Sequence, residues 1–163
     1  MTGDRAAAKG IVRCARPDEA TALSALAFRS KVHWGYDREF MEACREALTL
    51  TVEFISGSDV YVMEVEGQVV GFYTIAPWNW GLELTHFFVD PSAMGNGLGR
   101  RLWDDAVQRA AALGHSQLLI QSDPFAEGFY LRLGAERIGE VPSEAQPGRM
   151  LPLLVFPLQE VAE

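Results

Sequence analysis

Between residues 89 and 101 the chain reads Val-Asp-Pro-Ser-Ala-Met-Gly-Asn-Gly-Leu-Gly-Arg-Arg, and no other segment narrows the fold as far. A strand over 82–89 without clean alternation, as one covered on both faces would be, leads into it, and Asp90-Pro91 stops it. Leu98, Leu102, Val107, Ala110 and Leu113, beside Trp103 and Ala106, then recur at helical spacing until Gly114. A buried strand, a glycine-rich turn and a long amphipathic helix are expected in that order. Glycines let several backbone N–H groups turn into one concavity, and the helix N-terminus adds partial positive charge. The segment is therefore a phosphate-site candidate. A dinucleotide fingerprint would need a third glycine where Arg100 stands, and a Walker loop would need a Gly-Lys-Ser/Thr ending, so neither fits.

The rest of the chain supplies a mixed set of elements. A short strand over 11–15 is followed by a helix opened by Asp18 and Glu19, with Leu23, Leu26 and Ala27 at helical spacing. A second helix is expected over 37–48, with Phe40, Met41, Cys44 and Leu48 on one stripe. Residues 59–76 read as a β-hairpin about Glu66-Gly67, and 77–81 as a loop. After the long helix come a strand over 117–121, a helix capped by Asp123 with Pro124 at its first position and ended by Gly134, and strands over 135–139 and 151–156. The order β-α-α-β-β-β-α-β-α-β-β predicts an α+β (mixed α/β) domain over 11–158 behind a flexible tail at 1–10.

Composition excludes more than it selects. A chain of 163 residues, 48% hydrophobic, carries a core for one domain and is too short for two. A formal charge of -8 opposes nucleic acid and anionic membranes as partners. Cys14 and Cys44 lack metal or redox spacing, so no metal is expected. No signal-peptide core or run of roughly 18 apolar residues is present, and a soluble cytoplasmic protein is expected.

The glycine segment resembles the coenzyme A pyrophosphate loop of the GNAT (GCN5-related N-acetyltransferase) superfamily, Arg/Gln-x-x-Gly-x-Gly/Ala after a strand. Gly97 and Gly99 match its small positions, while Met94 stands where Arg or Gln is usual. A second motif, roughly Asn-x-x-Ala-x-x-Phe-Tyr-x-x-x-Gly-Phe/Ala, is matched from Asp123 through Ala126, Phe129, Tyr130 and Gly134 to Ala135, with Asp123 in place of Asn. The resemblance spans nearly the whole chain. It implies a mixed, mostly antiparallel sheet of about seven strands flanked by four helices. It also implies transfer of an acetyl group from acetyl-CoA, as cosubstrate, to a primary amine of a small molecule or peptide. A homodimer is left open.

The resemblance assigns coenzyme A contacts to Phe87, Phe88 and Val89, whose backbone would meet the pantetheine amides, and to Met94, Gly95, Asn96, Gly97, Leu98, Gly99 and Arg100 of the loop. Arg101 stands beside them as a phosphate contact or a solvated residue, and Asp123, Ala126 and Phe129 follow on the later helix. An amine with a pKa of about 10.4 is charged at neutral pH and must lose a proton before it attacks a thioester, and the departing thiolate gains from a proton donor. Tyr130 matches the family's acid; without that match it would read as a core aromatic. Glu83 is a base or a strand-end carboxylate, and His86 is the competing base or a hydrogen-bonded strand residue. His33, Trp34 and Tyr36, with Trp78 and Trp80, are expected to line an acidic, aromatic acceptor cleft that favours cations. Two other readings remain at this level: a non-catalytic acyl-CoA sensor or scaffold of the same fold, and an unrelated phosphate-binding protein.

Overall fold

A computed structural model describes residues 10–79 and 81–159 of the chain. The strand β1 (Ile11–Cys14) is followed by helices α1 (Ala20–Val32), α2 (Arg38–Leu48) and α3 (Val52–Gly57). Strands β2 (Asp59–Val65), β3 (Gln68–Trp78) and β4 (Gly81–Val89) precede the long helix α4 (Leu98–Ala112). Then come β5 (Gln117–Gln121), α5 (Glu127–Arg132), β6 (Glu136–Pro142) and β7 (Met150–Pro157). The tail expected at 1–10 lies outside the described residues except for Gly10, which is buried.

Local chemistry explains these elements. The Asp37 carboxylate accepts from the Phe40 N–H at 2.8 Å and caps α2, whose apolar stripe buries Met41, Cys44 and Leu48. Thr51 caps α3 in the same way. This helix was not expected from the sequence, because a six-residue element that buries only Ile55 leaves no periodic signal. Glu66 and Gly67 both adopt positive φ, 51° and 81°, which is the turn a two-residue hairpin needs.

Two expected boundaries move. The loop expected at 77–81 shrinks because β3 continues to Trp78 and β4 begins at Gly81. Asp123 is not the cap of α5. Its carboxylate accepts from the Phe125 N–H at 2.9 Å within a turn over 124–126, and the helix starts only at Glu127.

The strands form one sheet in the order β1-β2-β3-β4-β5-β7-β6, antiparallel throughout except for β4 beside β5. Alternation along β3 feeds both faces. Phe72 packs with Val60 and Val62 against Leu23, Leu26, Met41 and Cys44 of α1 and α2. Tyr73 and Ile75 pack on the other face with Leu102, Trp103 and Ala106 of α4. This is the mixed, mostly antiparallel seven-stranded fold expected, with α3 as a fifth helix.

The pairing of β4 with β5 positions the site. It spans only Leu82–Leu84 against Leu118–Ile120. Beyond Leu84, β4 runs on for five residues, and among the described residues no strand pairs with that edge. A bulge leaves Thr85 unpaired between Thr74↔His86 and Ile75↔Leu84, which bends β4 where it parts from β5.

Candidate active site

The glycine turn is held by its entrance. The Asp90 carboxylate accepts from the Ser92 N–H at 3.0 Å and the Ser92 hydroxyl at 2.8 Å, while Arg29 Nη2 donates to it at 2.6 Å from α1. Gly95 (φ 83°) and Gly97 (φ 76°), the N-cap of α4, take the left-handed conformation that disfavours any Cβ. The first intrahelical bond of α4 runs from the Arg101 N–H to the Gly97 carbonyl at 3.2 Å. The N–H groups of Leu98, Gly99 and Arg100 have no earlier turn to bond to and point off the helix end. This is the geometry of an anion cradle.

The cradle opens into a cavity of about 880 Å³ where β4 and β5 diverge. Phe87, Phe88 and Val89 line it from β4; Met94, Gly95, Gly97, Gly99 and Arg100 from the turn; Asp123, Ala126, Phe129 and Tyr130 from the β5–α5 segment. Two of the expected contacts do not line the cavity. Leu98 is buried in the core with Leu102, and Asn96 is exposed.

All three expected proton-transfer residues line the same cavity. Tyr130 is 5% exposed, with Phe87, Phe129 and Trp103 rings around it at 6.1, 5.3 and 5.6 Å. Burial, then the charge of Asp123, raises its phenol pKa well above the usual value and keeps it protonated. Burial and the nearby Glu144 raise the Glu83 carboxyl above the usual carboxylate range, against a hydrogen bond from Gln121. The His86 ring is committed on both sides. Its Nδ1 lies 2.6 Å from Thr74 Oγ1, itself bonded to Thr85 Oγ1, and the ring also bonds to the Ala47 backbone. Burial lowers its pKa despite that bond, so it is a neutral brace between β3, β4 and α2.

The aromatic mouth is partly as expected. Trp34 lines the cavity and stacks on Phe125 at 5.8 Å. Tyr36 reaches it through Asp123, donating its hydroxyl hydrogen to the carboxylate at 2.9 Å. His33 ends α1 beside Trp34 and is not in the lining. Trp78, at the far end of the hairpin opposite Gly81, is not brought to the cavity, and Trp80 lies outside the described residues.

The cleft is also not simply acidic. Lys31 Nζ donates to Asp123 Oδ2 at 2.9 Å, and Arg149 Nη2 donates to Tyr36 Oη at 2.6 Å while standing 4.0 Å from Asp123 Oδ2. Burial works to raise the Asp123 pKa, but Lys31, the Phe125 amide and Tyr36 together hold it below the usual range. Tyr36 is pushed up to about 12 by burial and Asp123, against Arg149. Lys31, Glu144 and Arg149 were not expected at the site, because they come from a helix end and a loop with no motif; only the fold brings them to Asp123 and Glu83.

Comparison with known proteins agrees with this architecture. The family model for the acetyltransferase (GNAT) domain matches residues 20–147. A GCN5-related N-acetyltransferase from Rhodopseudomonas palustris superposes with a TM-score of 0.76 at 19% identity, over 92% of this chain and 96% of that one. The PaiA N-acetyltransferase of Thermoplasma acidophilum, solved in complex with coenzyme A, gives 0.71 at 15% identity, over 90% and 98%. YncA of Salmonella typhimurium, solved with acetyl-CoA, gives 0.65 at 22% identity, over 95% and 97%. The chain belongs to the GNAT acetyltransferase family.

Proposed function

We propose that the chain transfers an acetyl group from acetyl-CoA to a primary amine by direct attack within a ternary complex. The observation that carries this reading is the meeting, in one cavity, of the anion cradle at Gly95 and Gly97, the unpaired edge of β4 and the protonated Tyr130. The cradle fits a pyrophosphate, since the space where side chains at 95 and 97 would stand is open. Arg100 and Arg132, both in the lining, add positive charge for the phosphates. The β4 edge beyond Leu84 offers backbone groups to the pantetheine amides.

Glu83, directly or through water, takes a proton from the acceptor ammonium. The nitrogen lone pair attacks the thioester carbonyl, a C–N bond forms, and the C–S bond breaks as the oxyanion collapses. Tyr130 gives its phenolic proton to the leaving sulfur, and its phenolate is reprotonated, directly or through water, by the second proton that the acylated nitrogen sheds, so the products are a neutral N-acetyl amide and coenzyme A thiol, with one proton left on Glu83. Glu83 suits the base role better than His86, whose ring is already occupied by Thr74 and Ala47. Calorimetric titration with acetyl-CoA, ATP and NAD tests the cosubstrate: binding of acetyl-CoA alone is expected, and preference for either nucleotide would overturn the reading.

A further inference from the structure

Arg149 is a clamped guanidinium with donors to spare. A guanidinium carries five N–H donors. Among the described residues, its hydrogen bond goes from Nη2 to Tyr36, and its contact with Asp123 is a loose 4.0 Å. Its plane lies over the rings of Tyr36 and Phe40, 5.1 and 4.7 Å from their centroids, and those rings stack at 4.0 Å, so its orientation is fixed by packing.

Lys31 shares the same carboxylate, and the side chains of Lys31, Arg149 and Asp123 are 16%, 22% and 16% exposed. Two cations on one anion leave a surplus positive charge in the lining. Glu83 and Glu144 form a second, oppositely charged centre in that cavity. Its members are distinct from those gathered on Asp123.

We propose that the acceptor is an amine carrying its own carboxylate, an amino-acid-like zwitterion whose carboxylate is held by Arg149 with Lys31 beside it while its amine faces Glu83. The inference rests on the acetyl-transfer reading and names its acceptor class. One surplus charge matches one carboxylate, and a fixed guanidinium suits its planar, two-oxygen geometry. A polyamine would set its second ammonium against Lys31 and Arg149, and an uncharged tail would leave Arg149 unmatched; both are selected against. The acceptor selectivity expected from sequence, for cations as such, is thus narrowed to an ammonium paired with an anion.

The test uses the full chain saturated with coenzyme A, which removes turnover from the measurement. Alanine, methionine and phenylalanine are titrated calorimetrically, each as the free acid, the carboxamide and the decarboxylated amine. At least one free acid should bind about tenfold or more tighter than its two partners. R149Q should abolish that preference, R149K should keep part of it, and K31M should reduce it severalfold. Thermal melts confirm folding, and should R149Q not fold, the wild-type ratio and K31M decide. Equal binding of acids, amides and amines, or no binding by any acid, would overturn the proposal. A carboxylate preference without acetyl product on adding acetyl-CoA would sink the transfer reading and leave the carboxylate site standing.

Discussion

Lys31 in the last turn of α1 donates to Asp123, two residues past the end of β5, across 2.9 Å, tying the helical face of the site to the segment that leaves the sheet. Replacing Asp123 by Asn removes the charge that Lys31 and Tyr36 share. We expect a loss of about 2 kcal/mol, which for a domain of this size is roughly 5 °C in Tm. The carboxyl sits below its usual pKa, so its stabilising contribution is present above the usual carboxylate range and is lost as pH falls through the folded value. The stability gap between wild type and D123N, followed by thermal unfolding, should therefore narrow in acid. A gap independent of pH would show that the ion pair is not its source.

The cradle is tested at Gly99. A Cβ there would meet Phe129 and Val89 at ordinary contact distances, 3.7 and 3.8 Å, so a side chain enters without breaking the helix and then crowds the cavity. Gly99→Glu should remain folded and bind acetyl-CoA at least about tenfold more weakly, because a carboxylate then faces the phosphates. Calorimetry reads this directly, and unchanged affinity in a folded variant would exclude the pyrophosphate site.

Tyr130→Phe removes the phenolic proton and keeps the ring packing with Trp103 and Phe87. A drop in kcat of about 10²-fold with little change in the KM for acetyl-CoA is expected, since leaving-group protonation matters in the transition state. An unchanged kcat between about pH 6 and 9, where an ordinary phenol of pKa near 10 stays protonated, would reduce Tyr130 to a packing residue.

Glu83 predicts a pH profile. A carboxyl held above its usual range stays protonated, and so unable to accept a proton, until the pH passes the raised value. The acid limb of kcat should accordingly lie above the ordinary carboxylate range. Glu83→Gln should remove that limb along with about 10²-fold of kcat. Glu144→Gln, which deletes the neighbouring negative charge, should move the limb to lower pH. A limb that ignores both substitutions would assign the base elsewhere.

The aromatic mouth separates into two cases. Trp34→Ala strips the stack on Phe125 from the lining and should raise the acceptor KM severalfold, with acetyl-CoA binding preserved. Trp78→Ala, away from the cavity, should leave the acceptor KM unchanged. The reverse pattern in steady-state kinetics would move the acceptor to the other end of the sheet.

Much of this was legible in the sequence, for reasons that differ by element. The strand, turn and helix from Leu82 to Gly114 announce themselves because burial on both strand faces, paired glycines and a 3.6-residue stripe are each local signals. The hairpin at Glu66-Gly67 is local in the same sense. Helix α3 is too short to be periodic, and the start of α5 shifts because residues 124–126 first close a tight turn, the Ala126 N–H donating to the Asp123 carbonyl at 2.9 Å, while the Asp123 carboxylate also meets Lys31 and Tyr36, residues 92 and 87 positions away in the chain. The same non-locality hid the positive side of the cleft. Arg149 meets Tyr36 across 113 positions, and no spacing rule links them.

Acetyl transfer is read out by mass spectrometry of acceptors incubated with the protein and acetyl-CoA. One acetyl group on a primary amine per coenzyme A thiol released, with no acetylated protein intermediate and with the yield collapsing in Tyr130→Phe, is the expected result. Acetyl-CoA bound tightly but returned intact from every amine offered, the same panel including the free amino acids, would contradict it.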